Sequence, residues 1–68
     1  MKELLKILVI DDEFILRNGI KYFCDWESEG FMVAGEASNG EEGLCLVEQL
    51  KPDIVITSLL LIWGWLHQ

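Results

Sequence analysis

Two acidic residues, Asp11 and Asp12, directly follow the apolar run Lys6-Ile7-Leu8-Val9-Ile10, with Glu13 next in line. Adjacent carboxylates at a strand end supply the hard oxygen donors that Mg²⁺ prefers while it keeps several waters. The same acidic triplet also suits the start of a helix, where negative charge meets the positive end of the macrodipole. Residue types and spacing leave both readings open. A second segment with hydroxyl chemistry is Thr57-Ser58, at the end of another β-branched run. Cys24 and Cys45 have no Cys-x-x-Cys neighbour, and the only histidine is His67, so the ligands of a Cys/His zinc site are lacking. Both cysteines read as small buried apolar residues of a reduced protein.

The elements that must position these residues follow from periodicity. An unbroken run such as Lys6–Ile10 suits a strand covered on both faces, as in the middle of a parallel sheet. From Phe14 the period changes: Leu16, Ile20 and Phe23 fall on one face of an amphipathic helix. Gly19 weakens that helix and is read as a point of close packing against the sheet. Asp25 to Gly30 reads as a loop, and Phe31 to Ala37 as a second strand. Ser38-Asn39-Gly40-Glu41 matches a capping box for a helix carrying Leu44, Val47 and Leu50, which Pro52 stops. Ile54–Thr57 is a third short strand. The order β-α-β-α-β with short connections predicts an α/β fold with a parallel sheet and right-handed crossovers.

Composition narrows the function classes. The 68 residues are 51% apolar, with 12 Asp and Glu against 5 Lys and Arg and a net charge of −7. A chain of this length buries only about 60% of its unfolded surface, so any core is small. Binding nucleic acid requires cations to replace phosphate counterions, and this balance argues against it and against anionic membrane surfaces. All 17 charged residues lie within residues 1–53. The uncharged stretch Ile54–Leu66 is 13 residues long, short of the roughly 20 needed for a bilayer crossing. With no secretory signal pattern at Met1–Leu5, the expected location is cytoplasmic.

Three segments together resemble a known family. Lys6-Ile-Leu-Val-Ile-Asp-Asp-Glu13, Gly35-Glu-Ala-Ser-Asn-Gly-Glu-Glu-Gly-Leu44 and Lys51-Pro-Asp-Ile-Val-Ile-Thr57 are similar, in order and spacing, to the first half of a bacterial two-component response regulator receiver domain. The segment Asp25-Trp26 to Gly30-Phe31 further resembles receivers joined to an AraC-type DNA-binding domain. The resemblance implies a CheY-like, flavodoxin-like doubly wound sheet with strand order 2-1-3, over residues 1–57. It implies Mg²⁺ held weakly by Asp11 and Asp12, and a sensor histidine kinase or a receiver-type partner. The family carries its phosphoacceptor aspartate after the third strand, a position that here is Ser58.

The departure from the family at Ser58 extends to the end of the chain. Residues 58–68 lack the family's Met-Pro-x-Met-Asp-Gly-like loop, and seven of the eleven are apolar, including Trp63 and Trp65. The expectation is a truncated receiver, unable to take a phosphoryl group, with a non-family apolar tail produced by a shifted reading frame. A partial sheet of this kind is expected to be of low stability. The competing expectation is a small acidic interaction module that uses the tail as an anchor or for self-association.

Overall fold

The computed structural model describes residues 3–57. Ser58 and the rest of the apolar segment 58–68 lie outside the described residues. Strand β1 (Leu5–Ile10) leads to helix α1 (Phe14–Lys21), strand β2 (Phe31–Ala37), helix α2 (Gly40–Leu50) and strand β3 (Ile54–Thr57). A single 3-10 turn at Glu27–Glu29 sits inside the loop read between Asp25 and Gly30. The three strands form one parallel sheet in the order β2-β1-β3, as the family resemblance implies.

The central strand explains why Lys6–Ile10 shows no alternation. Ile7, Leu8, Val9 and Ile10 are all buried, because neighbouring strands and a helix on each side leave β1 no solvent face. Leu8, Ile10 and Ala37 make the core on the α2 side, joined by Leu46, Val47 and Val55. Parallel neighbours in register share a face. Val9 pairs with Ile56 and Leu8 with Val55, so Val9 and Ile56 belong to the opposite, α1 side. Beside β2 the register shifts by one residue between Ile7 and Leu8.

Several local expectations change in the fold. The α2 cap lies one residue later than Ser38 and Glu41 imply. Asn39 is the N-cap, and its side-chain oxygen accepts the Glu42 N–H at 2.8 Å. The Glu42 carboxylate in turn accepts the Ser38 N–H at 2.8 Å. Gly40 opens the helix, so the third helical residue is Glu42 and not Glu41, and its carboxylate reaches the N–H of Ser38, the residue before the N-cap. Asn39→Ala is therefore expected to lower stability by about 1 kcal/mol. Ser38→Ala, which loses only a 3.4 Å hydroxyl contact, should cost less, and urea midpoints will rank the two.

Helix α2 also turns a slightly different face inward. Gly43, Leu46, Val47 and Leu50 meet the sheet, whereas Leu44 is 60% exposed. Cys45 follows Leu44 onto the outer surface and Cys24 sits just past α1, so both cysteines are exposed free thiols and not core residues. Gly19 is not a point of close packing: a Cβ there would meet nothing within 4 Å. Phe23, read as the third residue of the α1 apolar face, lies beyond the end of that helix. The α2 helix ends at Leu50 with Lys51 left-handed (φ 50°), consistent with the bias against right-handed helical backbone before Pro52.

Candidate functional site

The C-terminal edge of the sheet is where α/β folds bind ligands. Three backbone registers define it here. Ile10 pairs with Ala37 on one side and with Thr57 on the other, so β1, β2 and β3 end level with one another. Asp11 leaves β1 at this edge, its N–H donating to the Ala37 carbonyl at 3.0 Å. Its residue is 2% exposed, while Asp12 is exposed. The two carboxylates singled out together in the sequence therefore occupy different environments, one within the fold and one at its surface.

Asp11 is also engaged in the turn into α1. Its Oδ1 accepts the Glu13 N–H at 2.9 Å, which anchors the residue that caps the helix. The contact is a bond within the turn and not the macrodipole contact expected of the acidic triplet, since the first turn of α1 holds no acidic residue. A carboxylate oxygen has lone-pair capacity beyond one backbone N–H, so this bond is compatible with a cation on the same group. The donor set fits the chemistry of Mg²⁺, which takes one or two carboxylates and retains water. Among the described residues, no three His, Cys, Asp or Glu side chains converge on one point.

An ionic clamp absent from the sequence reading steadies this edge. Arg17 donates through Nη1 to the Asp11 carbonyl at 2.7 Å and through Nε to Glu36 Oε1 at 3.0 Å. Lys21, one turn further along α1, donates to the other Glu36 oxygen at 2.6 Å. Glu36 thus ties both basic residues of the helix to β2, and Arg17 carries the connection to the backbone of Asp11. The sequence does contain a signal: Arg17 and Lys21 at i, i+4 lie on one helix face. It contains nothing that names their partner nineteen residues from Arg17.

The clamp sets a pH dependence. Hydrogen bonds from Lys21 and then Arg17 hold the Glu36 carboxyl below its ordinary range. A lowered carboxyl pKa adds stability above the unfolded value near about 4.3, and that stability is lost as pH falls through the folded value. Both ends of the clamp are partly solvated, which keeps the Arg17–Glu36 share within about 1 kcal/mol. The loss of stability between pH 6 and pH 3 should accordingly be smaller for Glu36→Gln than for the wild type. Urea titrations of both proteins at each pH measure the difference. Equal losses would show that the clamp does not form in solution.

Of the residues expected at the site, Asp11, Asp12 and Thr57 are brought to one edge, and Ser58 lies outside the described residues. Among the described residues no helix is long and apolar enough to cross a membrane.

The chain is similar to known proteins in sequence and in fold. Residues 7–61 match the response regulator receiver domain family. The chain is 45% identical over 53 residues to the nitrate/nitrite response regulator protein NarL of Escherichia coli, covering 78% of this chain and 24% of NarL. It is 36% identical over 56 residues to the transcriptional regulatory protein HptR of Staphylococcus aureus, covering 82% of this chain and 22% of HptR. The chain thus spans about a quarter of the length of these curated relatives. Among solved structures, the REC domain of AraT, a response regulator from Geobacillus stearothermophilus, superposes with a TM-score of 0.74 at 38% identity. That match covers 76% of this chain and 40% of the other. The order β2-β1-β3, the acidic pair beyond β1 and the match over residues 7–61 agree: this chain belongs to the response regulator receiver domain family.

Proposed function

We propose that this chain is a receiver segment of two-component signalling that binds Mg²⁺ weakly through Asp11 and Asp12 and accepts no phosphoryl group at position 58. The observation that carries the reading is the level ending of β1 and β3, with Ile10 paired to Thr57. Thr57 thus ends beside the acidic pair, and the residue that follows it in the sequence is a serine.

The chemistry at that position differs in kind from a carboxylate's. An ionised aspartate attacks phosphorus without losing a proton. A serine hydroxyl must lose its proton to attack, which makes it a weaker nucleophile than an ionised carboxylate unless a base takes that proton. Mg²⁺, when bound, neutralises charge on a transferring phosphoryl group. Asp11 contributes a carboxylate fixed by the Glu13 N–H, and Asp12 an exposed one that stays hydrated. Two carboxylates without a third imply weak affinity.

The inferred partners are a sensor histidine kinase or a receiver-type protein in the cytoplasm, with no direct nucleic acid contact from this acidic chain. Kinship with receivers joined to an AraC-type domain rests on the segment Asp25–Phe31 alone. A second reading, a small acidic interaction module, is favoured by the exposed side chains of Phe14 and Ile15 at the start of α1. Saturable binding to a kinase in the absence of any phosphodonor would support it.

Intact-mass analysis after incubation with acetyl phosphate and Mg²⁺ tests the main reading. The wild type is expected to stay unmodified. Ser58→Asp is expected to gain a Mg²⁺-dependent phosphoryl adduct that Asp12→Ala abolishes. A stable adduct on Ser58 in the wild type would overturn the proposal.

A further inference from the structure

Asp11 is held on both sides of its Cα and at its carboxylate. Its N–H donates to the Ala37 carbonyl at 3.0 Å, its carbonyl accepts Arg17 Nη1 at 2.7 Å, and its Oδ1 accepts the Glu13 N–H at 2.9 Å. Two of these bonds belong to a closed circuit. Asp11 Oδ1 holds the Glu13 N–H, the Glu13 carbonyl holds the Arg17 N–H at 3.0 Å, and the Arg17 side chain returns to the Asp11 carbonyl. The first two bonds use backbone N–H groups and do not depend on the side chain at position 17. Only the return bond needs it.

We propose that Arg17 is a positioning residue for Mg²⁺: by fixing the Asp11 backbone, it holds the Asp11 carboxylate in a single orientation before the cation arrives. The inference rests on Asp11 and Asp12 being the ligands of that cation. Arginine suits the task because its planar fork bonds two groups at once, whereas a lysine ammonium is a point charge on a flexible stem. Here Nη1 takes the Asp11 carbonyl while Nε takes Glu36 Oε1 on β2 at 3.0 Å. The guanidinium is itself restrained. Lys21 occupies the other Glu36 oxygen at 2.6 Å, and the Phe14 ring centroid lies 5.6 Å from Arg17 Cζ. A ligand that is already ordered loses less freedom when the ion binds.

Charge acts in the opposite direction. A guanidinium beside an acidic edge repels a divalent cation, so its removal by itself would tighten Mg²⁺ binding. Loss of positioning would weaken it, and groups that orient a metal's ligands typically carry a 10–100-fold share of the affinity. The two effects differ in sign, and one variant separates them. Lys21 provides the control, since it bonds the same Glu36 carboxylate one turn further along the helix from Asp11.

Two measurements on the full chain test the proposal: Asp11 Hα–Hβ scalar couplings in metal-free protein, and titration with Mg²⁺ followed by amide shifts. The wild type and Lys21→Met are expected to show one staggered Asp11 rotamer, and Arg17→Met an average over several. Mg²⁺ affinity is expected to fall about tenfold in Arg17→Met and to hold in Lys21→Met. Arg17→Lys keeps the charge without the fork and repeats the test if Arg17→Met does not fold. Unchanged or tighter binding in Arg17→Met, or an equal loss in Lys21→Met, would overturn the proposal. A wild type that binds no Mg²⁺ would instead overturn the metal reading, and the metal-free couplings would still decide whether Arg17 orders Asp11.

Discussion

Replacing Leu8 by Ala is expected to destabilise the chain by about 2–5 kcal/mol, enough to leave much of it unfolded at 25 °C. Leu8 is 0% exposed at the centre of the middle strand. Its side chain meets Ile10 and Ala37, and the α2 residues Leu46 and Val47 close over that cluster. Removing it leaves a cavity where strand, strand and helix converge. Stabilities near 0.05–0.15 kcal/mol per residue allow a chain of this length only about 3–10 kcal/mol in total. The loss is therefore a large fraction of what holds the sheet together. Leu5→Ala, on the same strand but 47% exposed, is the comparison and should cost much less. Urea denaturation followed by circular dichroism measures both. Equal midpoint shifts would mean that β1 is not buried as described.

Gly43→Leu is expected to destabilise by about 1–3 kcal/mol, although leucine is the better helix former. Gly43 sits in the first half of α2, against Ile10. A Cβ there would overlap Ile10 Cδ1 and lie 3.2 Å from its Cγ1. In Gly43→Ala the Ile10 tip can rotate aside, and the gain in helix propensity offsets the contact. A leucine side chain has nowhere to go without moving the helix or the strand. Ile10 directly precedes Asp11 and pairs with both Ala37 and Thr57, so its displacement reaches the acidic edge. Gly43→Leu should thus weaken Mg²⁺ binding as well as folding, whereas Gly43→Ala should change neither greatly. Urea midpoints and magnesium titration calorimetry check the two effects separately. An unaltered Mg²⁺ affinity in a destabilised Gly43→Leu protein would show that Ile10 does not transmit the strain to Asp11.

The contrast between Ser38 and Asn39 shows how far local reading reaches. Both are good caps, and a carboxylate lies three residues beyond each. Choosing between them depends on where the helix begins, and packing of Gly43 and Leu46 on the sheet sets that point. The cysteines teach the same lesson. A small apolar residue type says nothing of helix phase, and the phase that buries Gly43, Leu46, Val47 and Leu50 puts Cys45 outside. Glu36 was illegible as a site residue because its meaning comes from Arg17 and Lys21 on another element.

Sequence by itself determined the element order, the parallel sheet with β1 at its centre, and an acidic pair placed just beyond a buried strand. These depend on periodicity and on neighbours within a few residues, which spacing encodes directly. Only the tertiary structure decided that Asp11 is buried while Asp12 is not, and that Glu36 clamps α1. Those outcomes rest on partners far apart in the chain, such as the Lys6 N–H bound to the Asp53 carboxylate across 47 positions. Such pairs exist only after packing has chosen a register, and no local pattern of residues records that choice.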